Sequence, residues 1–505
     1  GVRTMHLLYL MLVLGAAGPV GDAGPATPSS SPPWGSDKAA RPSAVLSAPG
    51  ADSYDEIRER ELTALITGLN EHAVWCKKKK LWERRALAYA AVLQLDAGNA
   101  EAHRGLGHKR QRDGSWKESR KTKPVDRSEK DLQECGERWG EVTRSFVGAL
   151  RALYEADSEE LSPETRGAII ADVIALDPDN AWARSVRKEV KSQGKWIMME
   201  LANSATGRDR LVALAAKLRS ELKPLAEKDL TPVEEGLQLP FTAALEQGGV
   251  RVVGTVSREE LEACAVNLRL ARPLMREYVG AGCAYASGFT YFLLKGAAEQ
   301  TTFLSHHPKV SEEDVRFLMT LESATMPGAQ HFGSWASGPD RRLDSACRQA
   351  ISNLLHNEHE ITSEYGWALE GVGLYITHKV TGTHLTWFVA PSRYKGPKED
   401  AAMRDKLSRR DVDWIEEARL LLAAGKLPAF HSVVGRNVNR LSTEDLLLCN
   451  AVVAFLIEGR PGDLPGILDK IGQGRPAHET FLEEIGMDLR QFDQRFHAWL
   501  VATVD

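Results

Sequence analysis

The sequence holds little of what usually announces chemistry. Cysteine is scarce, six in 505 residues, and Cys76, Cys135, Cys264, Cys283, Cys347 and Cys449 show no CxxC or comparable ligand spacing. That scarcity excludes a disulfide scaffold. No charge of one sign dominates: 64 Lys and Arg stand against 69 Asp and Glu for a net charge of -5, which argues against a dedicated nucleic-acid binder. There is no GxSxG elbow, P-loop or Rossmann glycine fingerprint in a strand-to-helix context. What is present is an ordinary globular composition, 43% hydrophobic and 26% charged, which rules out a mainly disordered, collagenous or polytopic membrane chain. The length exceeds one comfortable core and predicts two or three domains. Fourteen histidines and abundant acids suffice for a metal site, so the question is where they fall.

The stretch from Met5, MHLLYLMLVLGAAG, carries an apolar run followed by small residues, the pattern of a signal-peptide core and cleavage zone. It is shorter than the roughly 20 apolar residues a transmembrane anchor needs. No Cys follows it, so no lipid anchor is expected there. We read residues 1–23 as a signal peptide of an exported, periplasmic or extracellular protein, and the Pro/Ser/Gly-rich residues 24–52 as a disordered spacer. Export permits a disulfide, with Cys264 and Cys283 the nearest pair, although sequence does not fix the pairing.

Residues 53–230 read as helices with short polar breaks. Leu62, Leu65, Ile66 and Leu69 fall at helical spacing, as do Leu87, Tyr89, Ala90, Val92 and Leu93. A repeat follows: QLDAGNAEAHRGLGHKRQRDGSW, ending at Trp116, matches ALDPDNAWARSVRKEVKSQGKW, ending at Trp196. In both, Leu-Asp closes a helix, an Asn (Asn99, Asn180) is placed to cap the next, and Gly-x-Trp ends the unit. A helix pair of this kind cannot bury its apolar face alone, so the units are expected to stack, and the pattern resembles tetratricopeptide-type helical repeats. The run Lys77 to Lys80 and the basic stretch Arg104 to Lys130, with Lys109, Arg110, Arg112, Lys117, Arg120, Lys121 and Lys123, offer an anionic polymer a surface. Neither has the aromatic interleaving of a nucleic-acid platform, and a solvated repeat face with an exposed loop is the preferred reading.

Beyond a Pro-punctuated junction at Leu230 to Pro240 the pattern changes. Val250 to Val256 reads as a strand, Arg258 to Tyr278 as an amphipathic helix and Phe289 to Leu294 as another strand, followed by a helix-like segment and a polar loop. A late edge strand is placed at Gln330 to Ser337, a helix at Ala346 to Asn357, and a second helix carries Trp367, Glu370, Gly371 and Tyr375. An apolar helix at Leu446 to Glu458, one around Gly466 to Ile471, and closing helices in FLEEIGMDLRQFDQRFHAWL complete the chain.

That order, with a helix ending LLHN and then W-x-x-E-G-x-x-x-Y, resembles the gluzincin-type domain of the peptidase MA superfamily over residues 245–505. In that family the first helix carries HExxH and the next supplies the third zinc ligand as the Glu of an E-G pair. HExxH works because residues at i and i+4 share a helical face, so two imidazoles grip one zinc while the intervening Glu polarises its water. Here the resemblance puts those slots on Arg348, Gln349, Ala350, Ile351 and Ser352. Both imidazoles and the base are missing. Arg348 brings a permanent positive charge to a cation-ligand position, and Gln349 cannot take a proton. Glu370 is retained, with Tyr375 a turn and a half later. An ion pair between Arg348 and Glu370 in the vacated metal position is expected, because a buried unpaired carboxylate is costly; the bland alternative is a carboxylate on the helix surface.

The rival is an active zinc peptidase with non-standard ligands, His356 and His359 with Glu370. HNEHE puts His356 and Glu360 at i, i+4, and HEITS from His359 mimics HExxH with Ser363 in the second His position. Surface histidines favourably placed at a helix C-terminus explain them more simply. The pairs His306 and His307, and His378 and His384, carry no spacing signal. Cys347 beside Arg348 is a candidate thiolate, with a buried structural Cys preferred. The sequence therefore predicts a mainly α protein with an α+β C-terminal domain, that is, a helical-repeat half followed by a gluzincin-like (zincin) domain. The expected function is a non-catalytic pseudo-metallopeptidase without a cofactor that binds a protein or peptide partner. The alternatives are the zinc peptidase and an envelope module binding anionic polymer; nucleic acid and a transmembrane anchor are not expected.

Overall fold

The computed structural model describes residues 53–117, 129–157, 160–326, 329–388 and 398–503. The expected signal and spacer, and Arg120, Lys121 and Lys123 of the basic stretch, lie outside the described residues. The described chain falls into two compact units, one ending at Ile197 and the other beginning at Met198. It is mainly helical, and none of its helices is long and apolar enough to cross a membrane.

The N-terminal unit opens with α1 (Tyr54–Lys78), whose start is set by a Ser53/Glu56 capping box, and α2 (Trp82–Leu95). Next come α3 (Ala100–Gly105), β1 (Lys109–Arg110), β2 (Trp116–Lys117), α4 (Glu129–Asp157), α5 (Pro163–Leu176), α6 (Ala181–Val186), β3 (Glu189–Ser192) and β4 (Lys195–Met198). The two repeat copies take the same local shape. Asn99 caps α3 through Ala102 N, Asn180 caps α6 through Ala183 N, and each Asn amide donates to the Asp that ends the preceding helix. The closing segment differs from the helix pair expected. Each unit ends in a β-hairpin, β1–β2 or β3–β4, because Gly114 and Gly194 at φ 87° and 80° supply the left-handed turn that a continuing helix forbids. The repeated Trp packs back on its own unit: Trp116 stacks on His103 at 4.5 Å, and Trp196 lies against Arg184 at 5.4 Å.

The C-terminal unit starts earlier than the expected 245. It takes in α7 (Met199–Glu221), because buried Glu200 accepts from Arg460 and Arg495, and Ser204 accepts from the Trp499 indole. β5 (Ala226–Lys228), α8 (Pro232–Gly236), β6 (Ala243–Gln247), β7 (Val250–Gly254), α9 (Arg258–Tyr278) and β8 (Thr290–Leu293) follow. Gly248 and Gly249, both at positive φ, make the tight turn between β6 and β7. Then come α10 (Ala297–His306), α11 (Glu312–Leu318), β9 (Ser323–Thr325), β10 (His331–Ser334), α12 (Pro339–His359) and α13 (Gly366–Thr381). The chain closes with α14 (Lys398–Leu407), α15 (Trp414–Ala423), α16 (Phe430–Val433), α17 (Thr443–Ala454), a π-helical turn (Phe455–Gly459), α18 (Asp463–Gly472), α19 (Ala477–Ile485) and α20 (Leu489–Ala502).

The sheet runs β5-β6-β7-β8-β10-β9, with β7, β8 and β10 parallel and both ends antiparallel. The segment expected as an edge strand is thus interior: β10 lies between β8 and β9, and Ser323–Thr325 forms the edge. The central strands are buried on both faces. Val252, Tyr291 and Leu293 meet α9 and α12, while Val253 and Phe292 meet α10 and α11. Behind α12 a third layer packs α13 against α17. There Gly371 allows a close crossing, since a Cβ would sit 2.6 Å from the Cys449 carbonyl.

Candidate functional site

Arg348 lies in the middle of α12 and Glu370 in the second turn of α13, both on buried faces. Their side chains are 1% and 0% exposed. The Arg348 Nη2 donates to Glu370 Oε2 at 2.5 Å, and Nη1 donates to the Glu370 main-chain oxygen at 3.3 Å. The second carboxylate oxygen accepts from Phe388 N at 2.8 Å, and the Phe388 ring lies 4.6 Å from the guanidinium carbon. Gly373, one turn after Glu370, makes the room: a Cβ there would stand 1.7 Å from Arg348 Nη1. Burial pushes the Glu370 carboxyl up, while Arg348 and the Phe388 N–H oppose that shift.

A second buried carboxylate lies one turn earlier on α12. Asp344 accepts from Thr383 Oγ1 at 2.7 Å, Leu385 N at 3.0 Å and Thr386 N at 2.8 Å. Asp344 and Glu370 together therefore hold the segment from Thr383 to Phe388 over the α12–α13 pair. The chemistry this allows is narrow. Both Glu370 oxygens are engaged, and a guanidinium has no lone pair to offer a metal. Gln349 is buried, and its Oε1 finds no hydrogen-bond partner among the described residues. Ser352 is half-buried a turn beyond Arg348.

Tyr375 turns elsewhere. Its hydroxyl donates at 2.7 Å to Glu458 on the π-helical turn, a buried carboxylate also reached by Arg208 at 3.2 Å and Lys379 at 3.9 Å. Gly207 permits this approach, since a Cβ would lie 2.8 Å from the Glu458 carbonyl.

The structure does not assemble the alternative zinc set. His359 is buried rather than on the surface; Nδ1 meets Asp469 Oδ1 at 2.6 Å, and Nε2 donates to Val279 O at 3.0 Å. Both ring nitrogens are thereby occupied away from Glu370. His356 is half-buried on the same turn, and α12 ends at the left-handed Glu360, so HEITS is not a helical motif. Of the other histidine pairs, His378 stacks on His384, which stacks on Trp414, whereas His307 meets His331 rather than His306, with Nε2 2.9 Å from His331 Nδ1. His306 is exposed and bonded to the Thr302 carbonyl. All six cysteines are buried and free of disulfides, Cys264 and Cys283 among them, and burial pushes the Cys347 thiol up to about 12. Among the described residues, the group of three metal-capable side chains within mutual reach is a different one, His72, Cys76 and Cys135.

Sequence reading missed Asp344, Gly373 and Glu458. The small-residue spacing of GVG on α13 was the available signal for close packing; nothing local marks Asp344 or Glu458 as buried. No family model, curated protein or solved structure matches the chain.

Proposed function

We propose that the C-terminal unit is a non-catalytic, peptidase-like binding domain for a protein or peptide, descended from a zinc peptidase whose metal position is now filled by Arg348. The observation that carries this is the sealed Arg348–Glu370 pair beneath Phe388. On this reading Arg348 brings a cation to the vacated metal position, and Gln349 stands where the general base would be. The strand and helix order supports the same reading, since an antiparallel edge strand precedes β10 and the two site helices follow. The binding surface on this reading is the β9 edge. With Met326 N and Glu322 O bonded toward β10, alternation turns the main-chain groups of Ser323 and Thr325 outward, where an extended peptide can add as a strand.

Selection of displayed random peptides on the full chain tests this. Extended peptides should be enriched, and Thr325→Pro, which removes one outward N–H, should weaken them by about tenfold or more, the loss of one or two main-chain hydrogen bonds. Chelator-sensitive cleavage of peptides by the zinc-supplemented protein would overturn the non-catalytic reading.

A further inference from the structure

The N-terminal unit carries a cluster that the peptidase-like reading does not use. His72 and Cys76 sit at i, i+4 near the end of α1, so both face the same neighbour. That neighbour is α4, which runs antiparallel: Gly68 meets Val142, His72 meets the Trp139 ring at 5.5 Å, Cys76 meets Cys135, and Lys79 pairs with Asp131. Close approach is possible because a Cβ on Gly68 would stand 2.8 Å from Val142 Cγ1. The three side chains are 1%, 0% and 3% exposed. His72 Nε2 lies 3.5 Å from each sulfur, and the sulfurs are 3.7 Å apart.

These lengths fit the edges of a metal tetrahedron. Zinc–sulfur bonds of about 2.3 Å and a zinc–nitrogen bond of about 2.0–2.1 Å at tetrahedral angles require S···S of about 3.8 Å and N···S of about 3.5–3.6 Å. A disulfide requires the sulfurs at about 2.05 Å instead. Charge points to the same class of ion. Two thiolates neutralise a divalent cation, so the filled site is neutral, which suits a pocket walled by Trp75, Leu81 and Leu132. A thiolate pair with imidazole is also a donor set that excludes magnesium and calcium.

We infer that His72, Cys76 and Cys135 form a zinc site that ties α1 to α4, with three protein ligands and a fourth position left to water or a small anion. Its role is structural, because the ligands come from the two longest helices of the unit and lie in its interior. The inference does not depend on the reading of the C-terminal unit.

The test uses the full chain, purified under reducing conditions, stripped with chelator and reloaded with zinc or, as a spectroscopic probe, cobalt(II). One zinc per chain is expected, and the cobalt form should show thiolate-to-metal charge transfer with the intense visible bands of a tetrahedral site. Cys135→Ser and His72→Ala should each lower zinc affinity by at least about tenfold, while Cys264→Ser should leave the stoichiometry intact. Should the ligand variants fail to fold, the wild-type cobalt spectrum decides alone. Substoichiometric zinc after reloading, a cobalt spectrum without sulfur charge transfer, or a Cys76–Cys135 disulfide in the unreduced protein would each overturn the assignment.

Discussion

Arg348 and Glu370 illustrate how two residues can be poor stabilisers as a pair and yet hard to lose singly. Both are sealed from solvent, so the pair bears a desolvation cost that its attraction and the Phe388 hydrogen bond only offset. Removing one partner leaves the other charge stranded. Arg348→Met should therefore cost about 3–5 kcal/mol in denaturant unfolding, whereas the double variant with Glu370→Leu should recover most of that loss. Additive losses in the cycle would show that the two side chains are not energetically coupled. That Arg348 and Glu370 would pair was an expectation raised by the sequence. The sealing of the pair was not, because Phe388 lies 40 residues along and reaches the pair through tertiary contacts, a hydrogen bond to Glu370 and its ring over Arg348.

Among elements, the two repeat copies give the clearest comparison of pattern with structure. Their Asn caps follow from local chemistry, since an amide three residues before an unpaired helix N–H needs no tertiary help. Asn180→Ala removes that acceptor and the bond to Asp177, at a cost of about 1–2 kcal/mol. Amide exchange over α6 should accelerate by about fivefold or more if opening there is local. Unchanged exchange would mean the cap is not what holds that helix. The hairpins that close the copies escaped the helical reading because their strands are short, with two to four residues each. Their turns rest on residues at positive φ, Gly114 in the first and Gln193 with Gly194 in the second, which the sequence pattern alone does not separate from polar breaks between helices.

At the scale of the whole molecule, buried histidines in the C-terminal unit contribute to the pH response. Burial and the neighbouring His331 pull His307 down from 6.5 to about 4, and burial lowers His331 as well. An imidazole whose folded value is depressed binds its proton more readily in the unfolded chain. Its contribution to stability is thus complete above pH 6.5 and is lost as pH falls toward 4. The shift corresponds to about 3 kcal/mol at most. Urea unfolding across that range should show a smaller decline for His307→Gln, which keeps hydrogen-bonding groups without titrating there; an identical decline in variant and parent would remove His307 as the cause.

By itself the sequence determined what depends on neighbours a few residues apart: the span of α9, read as Arg258 to Tyr278 and found there, and the Asn caps. Tertiary structure decided what depends on how helices cross. It set the start of the C-terminal unit at Met198 through Glu200, reached by arginines 260 and 295 residues away. It carried His359 away from Glu370, and it joined Cys76 to Cys135 across 59 residues. Periodicity reports which face of a helix is buried. Which partner meets that face follows from packing between helices, a term no local spacing records.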